Sequence, residues 1–151
     1  YFDLTQARKF LQKAQTPWTP AVSVFYGLAA ALEIMTREGI ANIAARHAKV
    51  AQRARGGIKA MGLSLFPEEA YASNTVTAVS APEGLDVKRL LQVLQEDGIQ
   101  LAGGQQKLEG KIFRIGHLGW VEEKYMDEVL RGLAHALPKA GYIRPIPSWA
   151  Y

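Results

Sequence analysis

The hydrophobic pattern of this chain changes its period at Gly62. Before that residue, apolar side chains recur every three or four positions, which is the spacing of helices. After it, short β-branched or alternating stretches such as "LSLF" (63–66) and "TVTAVSA" (75–81) are typical of strands. The predicted order α-α-α-β-β-α-β-β-α indicates an α+β fold. We expect a small, mainly antiparallel sheet covered by helices on one face and preceded by a helical hairpin.

The helical part is divided by proline and glycine. The two prolines of "QTPWTP" (15–20) forbid a continuous helix, and Thr19 is placed to cap the next one. That helix, at about 20–37, is apolar nearly all round, so we expect it to be buried on most sides. Gly39 ends it, and a long helix is predicted for about 40–61.

The second part of the chain alternates strands with two further helices. Asp86 is a suitable cap for a helix at about 87–97. Strands are predicted at 99–104 and 111–119, and an amphipathic helix at 121–137 follows them.

The sequence lacks the patterns typical of metal sites, cysteine nucleophiles, nucleic-acid surfaces and membrane spans. There are no cysteines, which excludes thiolate metal sites and cysteine nucleophiles within these residues, and the three histidines have no metal-ligand spacing. The basic cluster between Arg46 and Lys59 lacks the interleaved aromatics of a nucleic-acid surface and indicates a solvated helix face. The longest apolar run, 21–35, is shorter than the roughly 20 residues that span a bilayer. We expect a cytoplasmic protein that binds neither metal, nucleic acid nor membrane.

Arg114 breaks the local rule of its strand. In "GKIFRIGHLG" it follows the β-prone Ile112 and Phe113, and a charge on a half-buried strand needs an anionic partner. Its planar fork suits a carboxylate. From the residues alone, two alternatives stay open: a structural salt bridge to an internal Asp or Glu, or a site for an anionic ligand, for which Gly116 leaves room.

Several segments together resemble one family. The chain is similar, over residues 1–137, to class V pyridoxal-phosphate-dependent aminotransferases of the alanine–glyoxylate and serine–glyoxylate branch. Its closest likeness is to cyanobacterial chains called the small subunit of a soluble hydrogenase. The resemblance is carried, in this order, by "TPWTPAVSVFYGLAAALEIM", "RHAKVAQRARGGIKAMGLSLF", "TVTAVSAPEGLD", "GIQLAGGQQKLEGKIFRIGHLG" and the closing helix.

This resemblance implies the C-terminal part of a fold-type I enzyme that forms a homodimer. Residues 1–39 would be the end of the large-domain scaffold, 40–137 the small domain and 138–151 a tail. The family's Schiff-base lysine and its other main cofactor contacts would lie upstream. No residue of this chain is then expected to be catalytic, and the chain alone is expected to be inactive and to bind no pyridoxal phosphate.

Two family roles fall inside the chain. The arginine of the family's "RIG" motif binds the substrate carboxylate, which implies that role for Arg114. A threonine in the loop before the apolar helix reaches the cofactor phosphate of the neighbouring subunit, which implies that role for Thr19. The family often has a tyrosine where this chain has Thr16, so a second phosphate contact there is left open.

Two functions follow as hypotheses. One is an aminotransferase that acts on small amino acids and oxo acids, such as serine or alanine with glyoxylate. The other is a non-catalytic, aminotransferase-like subunit associated with a soluble hydrogenase.

Overall fold

The structure is a computed structural model that describes residues 2–145, 147 and 148. The chain divides into two compact units, Tyr1–Ile40 and Ala41–Tyr151.

The first unit contains two helices. Helix α1, Leu4–Leu11, is capped by Asp3, whose Oδ1 accepts hydrogen bonds from the backbone N–H groups of Thr5 (2.8 Å) and Gln6 (3.2 Å). Helix α2 covers Val22–Glu38.

The predicted cap of α2 is wrong. The helix begins at Val22 with Ala21 in the capping position, and no side chain caps its first turn. Thr19 lies three residues before the first helical residue, so its hydroxyl is displaced from the position where a cap reaches the second or third helical N–H. The C-terminal prediction is confirmed, because Gly39 ends the helix with φ of 85°, a conformation that favours glycine.

The predicted burial of α2 is also wrong for this chain. None of its residues is buried by the described residues, and Phe25 and Tyr26 are 63% and 74% exposed. The helix is apolar nearly all round, yet the described part of the chain supplies no layer to cover it. Its hydrophobic free energy is therefore not gained within these residues.

The second unit is an α+β lobe, as predicted. Its sheet has the order β1-β2-β4-β3, and every neighbouring pair is antiparallel. The helices and strands are α3 (Ile40–Ala60, which starts at the unit boundary), β1 (Ser64–Leu65), β2 (Val76–Ser80), α4 (Val87–Glu96), β3 (Ala102–Gly103), β4 (Ile112–Gly116) and α5 (Glu123–Lys139).

One face of the sheet forms the core. Val79 pairs with Phe113 across β2 and β4, and all three of Val79, Phe113 and Ile115 are fully buried. They join a single apolar cluster with buried residues of α3, α4 and α5. Because side chains alternate along a strand, residue 114 must lie on the opposite face.

Helix α4 begins as predicted. The Asp86 side chain accepts a hydrogen bond from the backbone N–H of Arg89 at 3.0 Å, which satisfies one of the free donors of the first turn.

The end of the chain contributes to the core more than a surface tail would. Helix α5 continues through Pro138 to Lys139. Beyond it Tyr142 is buried, and its hydroxyl donates to the carbonyl of Met61 at 2.6 Å. Of the predicted tail, residues 146 and 149–151 lie outside the described residues.

The basic side chains of α3 are used within the lobe. Arg53 pairs with Asp127 at 2.6 Å, and Lys59 pairs with Glu69. Arg46 donates to the carbonyls of Gly119 and Val121 and lies over the ring of Trp120. These contacts give the cluster a structural role in holding α3 to the segments around it.

The adjacent glycines of α3 should respond oppositely to alanine. At Gly57 an added Cβ would lie 2.4 Å from both methyl carbons of the fully buried Leu130, whereas at Gly56 it would meet nothing within 4 Å. We expect Gly57→Ala to lower the free energy of unfolding by about 1–3 kcal/mol. Gly56→Ala should raise it by up to about 1 kcal/mol, because alanine favours helix. Urea unfolding of both variants tests this, and equal effects at the two positions would contradict the packing argument.

Candidate functional site

Arg114 lies in the middle of β4, on the face of the sheet opposite the core. Its direct neighbours across the strands are Ala78 on β2 and Ala102 on β3. Residues directly opposite one another share a face, so the flanking strands place only methyl groups beside the arginine. The side chain is half-buried. The alternation predicted from the sequence therefore holds, and it places the arginine between two alanines.

The guanidinium has a backbone partner. Its Nε–H donates to the carbonyl oxygen of Gly103 at 3.0 Å. Among residues 2–145, 147 and 148, no Asp or Glu carboxylate lies within ion-pair distance of Arg114. The internal salt bridge, one of the two alternatives left open by the sequence, is therefore not formed by the described residues.

The end of β3, which supplies this carbonyl, is tightly packed against the loop that follows it. The backbone N–H of Gly104 donates to the carbonyl oxygen of Ile112 at 3.0 Å. A Cβ added at Gly104 would lie 1.9 Å from the carbonyl oxygen of Leu108. Such an approach is possible only for glycine. Gly103 and Gly104 were not among the site residues predicted from the sequence. The consecutive glycines of "AGGQ" were the available signal.

His117 directly follows β4, the strand that carries Arg114. It is 1% exposed; its Nδ1 contacts the carbonyl of Asn74 at 3.1 Å and its Nε2 contacts the hydroxyl of Thr77 at 2.9 Å. A carbonyl only accepts, so Nδ1 carries the proton and Nε2 accepts from Thr77. Burial lowers the pKa of His117 below 6.5, against the opposing effect of the hydrogen bond to Asn74.

This histidine should make the stability of the lobe depend on pH. Because the pKa is lower in the folded state, the unfolded chain binds the proton first as the pH falls through 6.5. The free energy of unfolding should then fall, by at most about 1.4 kcal/mol per pH unit, until the pH drops below the folded-state pKa. Urea unfolding between about pH 7.5 and 5 measures this. His117→Gln should flatten the fall and the exposed His135→Gln should retain it; an unchanged slope in His117→Gln would refute the assignment.

The two predicted phosphate contacts belong to the first unit. Thr16 and Thr19 border one open depression together with Leu11, Gln15 and Trp18. The hydroxyl of Thr16 donates to the carbonyl of Trp18 at 2.7 Å, so it is already engaged. The hydroxyl of Thr19 bonds to no described residue, and its residue is exposed. Thr19 thus has a donor free for a phosphate oxygen, whereas Thr16 would first have to release its carbonyl partner.

Metal and membrane sites receive no support from the described residues. Within them, no three or more His, Cys, Asp or Glu side chains are grouped so as to hold a metal ion. No helix of that part of the chain combines the length and apolar character needed to cross a membrane.

Comparison with known proteins gives a consistent result. The model of the aminotransferase class-V family matches residues 10–116. An uncharacterized aminotransferase of Methanocaldococcus jannaschii is 41% identical over 144 residues, covering 94% of this chain and 37% of that protein. A serine–glyoxylate aminotransferase of Arabidopsis thaliana is 38% identical over 145 residues, covering 94% of this chain and 36% of the relative.

A second kind of name also occurs among the relatives. The small subunit of a soluble hydrogenase from a Synechococcus strain is 39% identical over 148 residues, covering 97% of this chain and 38% of that one. Among solved structures, ureidoglycine–glyoxylate aminotransferase of Bacillus subtilis superposes with a TM-score of 0.90 at 30% identity. That match covers 98% of this chain and 38% of the solved one. The chain thus spans little more than a third of the length of the proteins it matches.

Proposed function

The chain belongs to the class V aminotransferase family, whose members use pyridoxal phosphate, and we propose that it supplies the substrate-carboxylate arginine and subunit contacts of a transaminase. The substrates proposed for the whole enzyme are small amino acids and oxo acids of the serine or alanine and glyoxylate type. The relatives and the solved structure whose names include glyoxylate support this choice.

The observation that carries the proposal is the state of Arg114. It is a half-buried arginine on the face of the sheet opposite the core, flanked by alanines, with no carboxylate of the described residues in reach. A desolvated guanidinium without an internal counter-ion favours an external anion. The carboxylate of an amino acid matches its fork and its charge.

The chemistry requires such a clamp. Pyridoxal phosphate, when bound, withdraws electrons from the amino-acid Cα as a bond there breaks. Which bond to Cα would break depends on the torsion at which the amino acid is held, so its carboxylate must be fixed before reaction. Arg114 would set that torsion, and the rate gain comes from orientation rather than from proton transfer by this residue.

Thr19 is the proposed phosphate contact to the neighbouring subunit. Its exposed hydroxyl, in the loop between α1 and α2, is suited to donate to an anion. Thr16 is the weaker candidate because its hydroxyl bonds to Trp18. The exposed apolar α2 beside this loop fits a chain that packs in a larger, dimeric enzyme.

A cofactor titration of the full-length protein tests the proposed function. Added pyridoxal phosphate should give a visible absorbance band, which L-serine or L-alanine should bleach and glyoxylate should restore. The 151-residue chain alone should give no stable band. A full-length protein that binds the cofactor but responds to neither amino acid would contradict the proposed substrates.

The alternative is a non-catalytic subunit that accompanies a soluble hydrogenase, and it is favoured only by the names of relatives. These 151 residues contain no cysteine to ligate nickel or an iron–sulfur cluster, so any link to hydrogenase would be one of association. Failure of the full-length protein to bind pyridoxal phosphate would favour this alternative.

A further inference from the structure

The guanidinium of Arg114 can bind a carboxylate in two bidentate geometries. The fork offers a side-on pair of donors, Nε and one terminal nitrogen, or an end-on pair, the two terminal nitrogens. In the structure Nε–H is already given to the carbonyl of Gly103 at 3.0 Å. The end-on pair is the one that remains for a bidentate ligand.

The carbonyl that occupies Nε is held in place from several directions. Gly103 pairs with Phe113, and the N–H of the next residue, Gly104, donates to Ile112 at 3.0 Å. The loop beyond it folds back so far that the carbonyl oxygen of Leu108 occupies the space of a Gly104 side chain. Because the carbonyl of Gly103 is fixed to the strand that carries Arg114, its hydrogen bond holds the guanidinium in one orientation.

A long arginine side chain has many rotamers to lose on binding a ligand. One hydrogen bond from Nε to the backbone restricts them before the ligand arrives, and pre-organisation of this kind lowers the cost of binding. Arg53 of the same lobe pairs with Asp127, whereas Arg114 meets no carboxylate within the described residues and so keeps its charge for an external anion.

We propose that the glycine pair Gly103–Gly104, at the end of β3, is a positioning element that holds Nε of Arg114, so that the guanidinium presents its two terminal NH2 groups end-on to the substrate carboxylate. This inference rests on the proposed role of Arg114. It adds the residues that aim the arginine and the edge of the fork that the ligand meets.

Gly104→Ala in the full-length enzyme should displace the end of β3 from the loop that carries Leu108, because the added Cβ cannot occupy the position of the Leu108 carbonyl oxygen. We expect kcat/KM for L-serine with glyoxylate to fall about tenfold, the effect of one mis-set charge-assisted hydrogen bond. The matched control is Gly110→Ala in the same loop. It strains a backbone with φ of +69° but meets nothing within 4 Å, and it should leave kcat/KM within about twofold of the wild type.

The double variant separates positioning from general damage. In the Arg114→Lys background, adding Gly104→Ala should lower kcat/KM by less than about twofold, because the guanidinium that Gly104 helps to position is no longer present. A persistent tenfold loss in that background, or an equal loss in Gly110→Ala, would overturn the proposal.

A second measurement does not depend on activity or on the folding of a variant. In nitrogen-15 NMR spectra of the 151-residue chain, the Nε–H of Arg114 should exchange with solvent far more slowly than that of the exposed Arg131. Equal exchange rates would overturn the positioning role even if Arg114→Lys abolishes turnover. Protected exchange together with an Arg114→Lys enzyme of full activity would leave the hydrogen bond standing and refute the proposed function.

Discussion

Replacing Arg114 with lysine in the full-length enzyme is expected to lower kcat/KM for the amino-acid substrate by roughly 100-fold, although the charge is retained. Lysine is a point donor and cannot form the planar, two-bond pair with a carboxylate. It also has no Nε–H to donate to Gly103, so both the ligand contact and its alignment are lost. Steady-state transamination with L-serine and glyoxylate measures the change.

The matched control is Arg131→Lys. This arginine is exposed on α5, and the same substitution there should leave kcat/KM unchanged. Arg114→Lys should lower the free energy of unfolding by only about 1–2 kcal/mol, because Arg114 forms no ion pair with the described residues and loses one hydrogen bond, to Gly103. Full turnover by the Arg114→Lys enzyme would refute the carboxylate assignment.

The next residue towards the N-terminus should show the opposite behaviour. Phe113→Ala is expected to lower the free energy of unfolding by about 3–5 kcal/mol, because a fully buried aromatic side chain leaves a cavity in the core. That is a large part of the roughly 5–15 kcal/mol that stabilises a domain. Denaturant unfolding of the 151-residue chain measures it.

Phe66→Ala removes the same atoms from a side chain that is 49% exposed, so it should cost only about 1 kcal/mol. A Phe113→Ala chain whose midpoint differs little from that of Phe66→Ala would show that the sheet does not pack as described. The pair therefore tests the orientation of β4, on which the exposure of Arg114 also depends.

The orientation of β4 was predictable because it depends on neighbouring residues only. In a strand, side chains alternate, so Phe113 and Ile115 had to lie on one face and Arg114 on the other. The Asp86 cap and the end of α2 at Gly39 were predictable for the same reason, since each is decided within a few residues.

The predictions that failed concerned relations between segments. The pattern of α2 indicated a buried helix, but burial requires a second surface, and the described residues of this chain do not provide one. The Thr19 cap failed over a shift of a few residues, because the helix begins at Val22 with Ala21 in the capping position.

By itself the sequence determined the order of the helices and strands, the α+β class, and the strand face on which Arg114 stands. Only the tertiary structure decided that Arg114 meets no carboxylate of the described residues. It also decided that the Nε–H of Arg114 donates to the carbonyl of Gly103, 11 residues away. It also decided that His117 bonds to Thr77 across 40 residues. Periodicity and capping are local properties, whereas these contacts form only when β4 pairs with β2 and with β3.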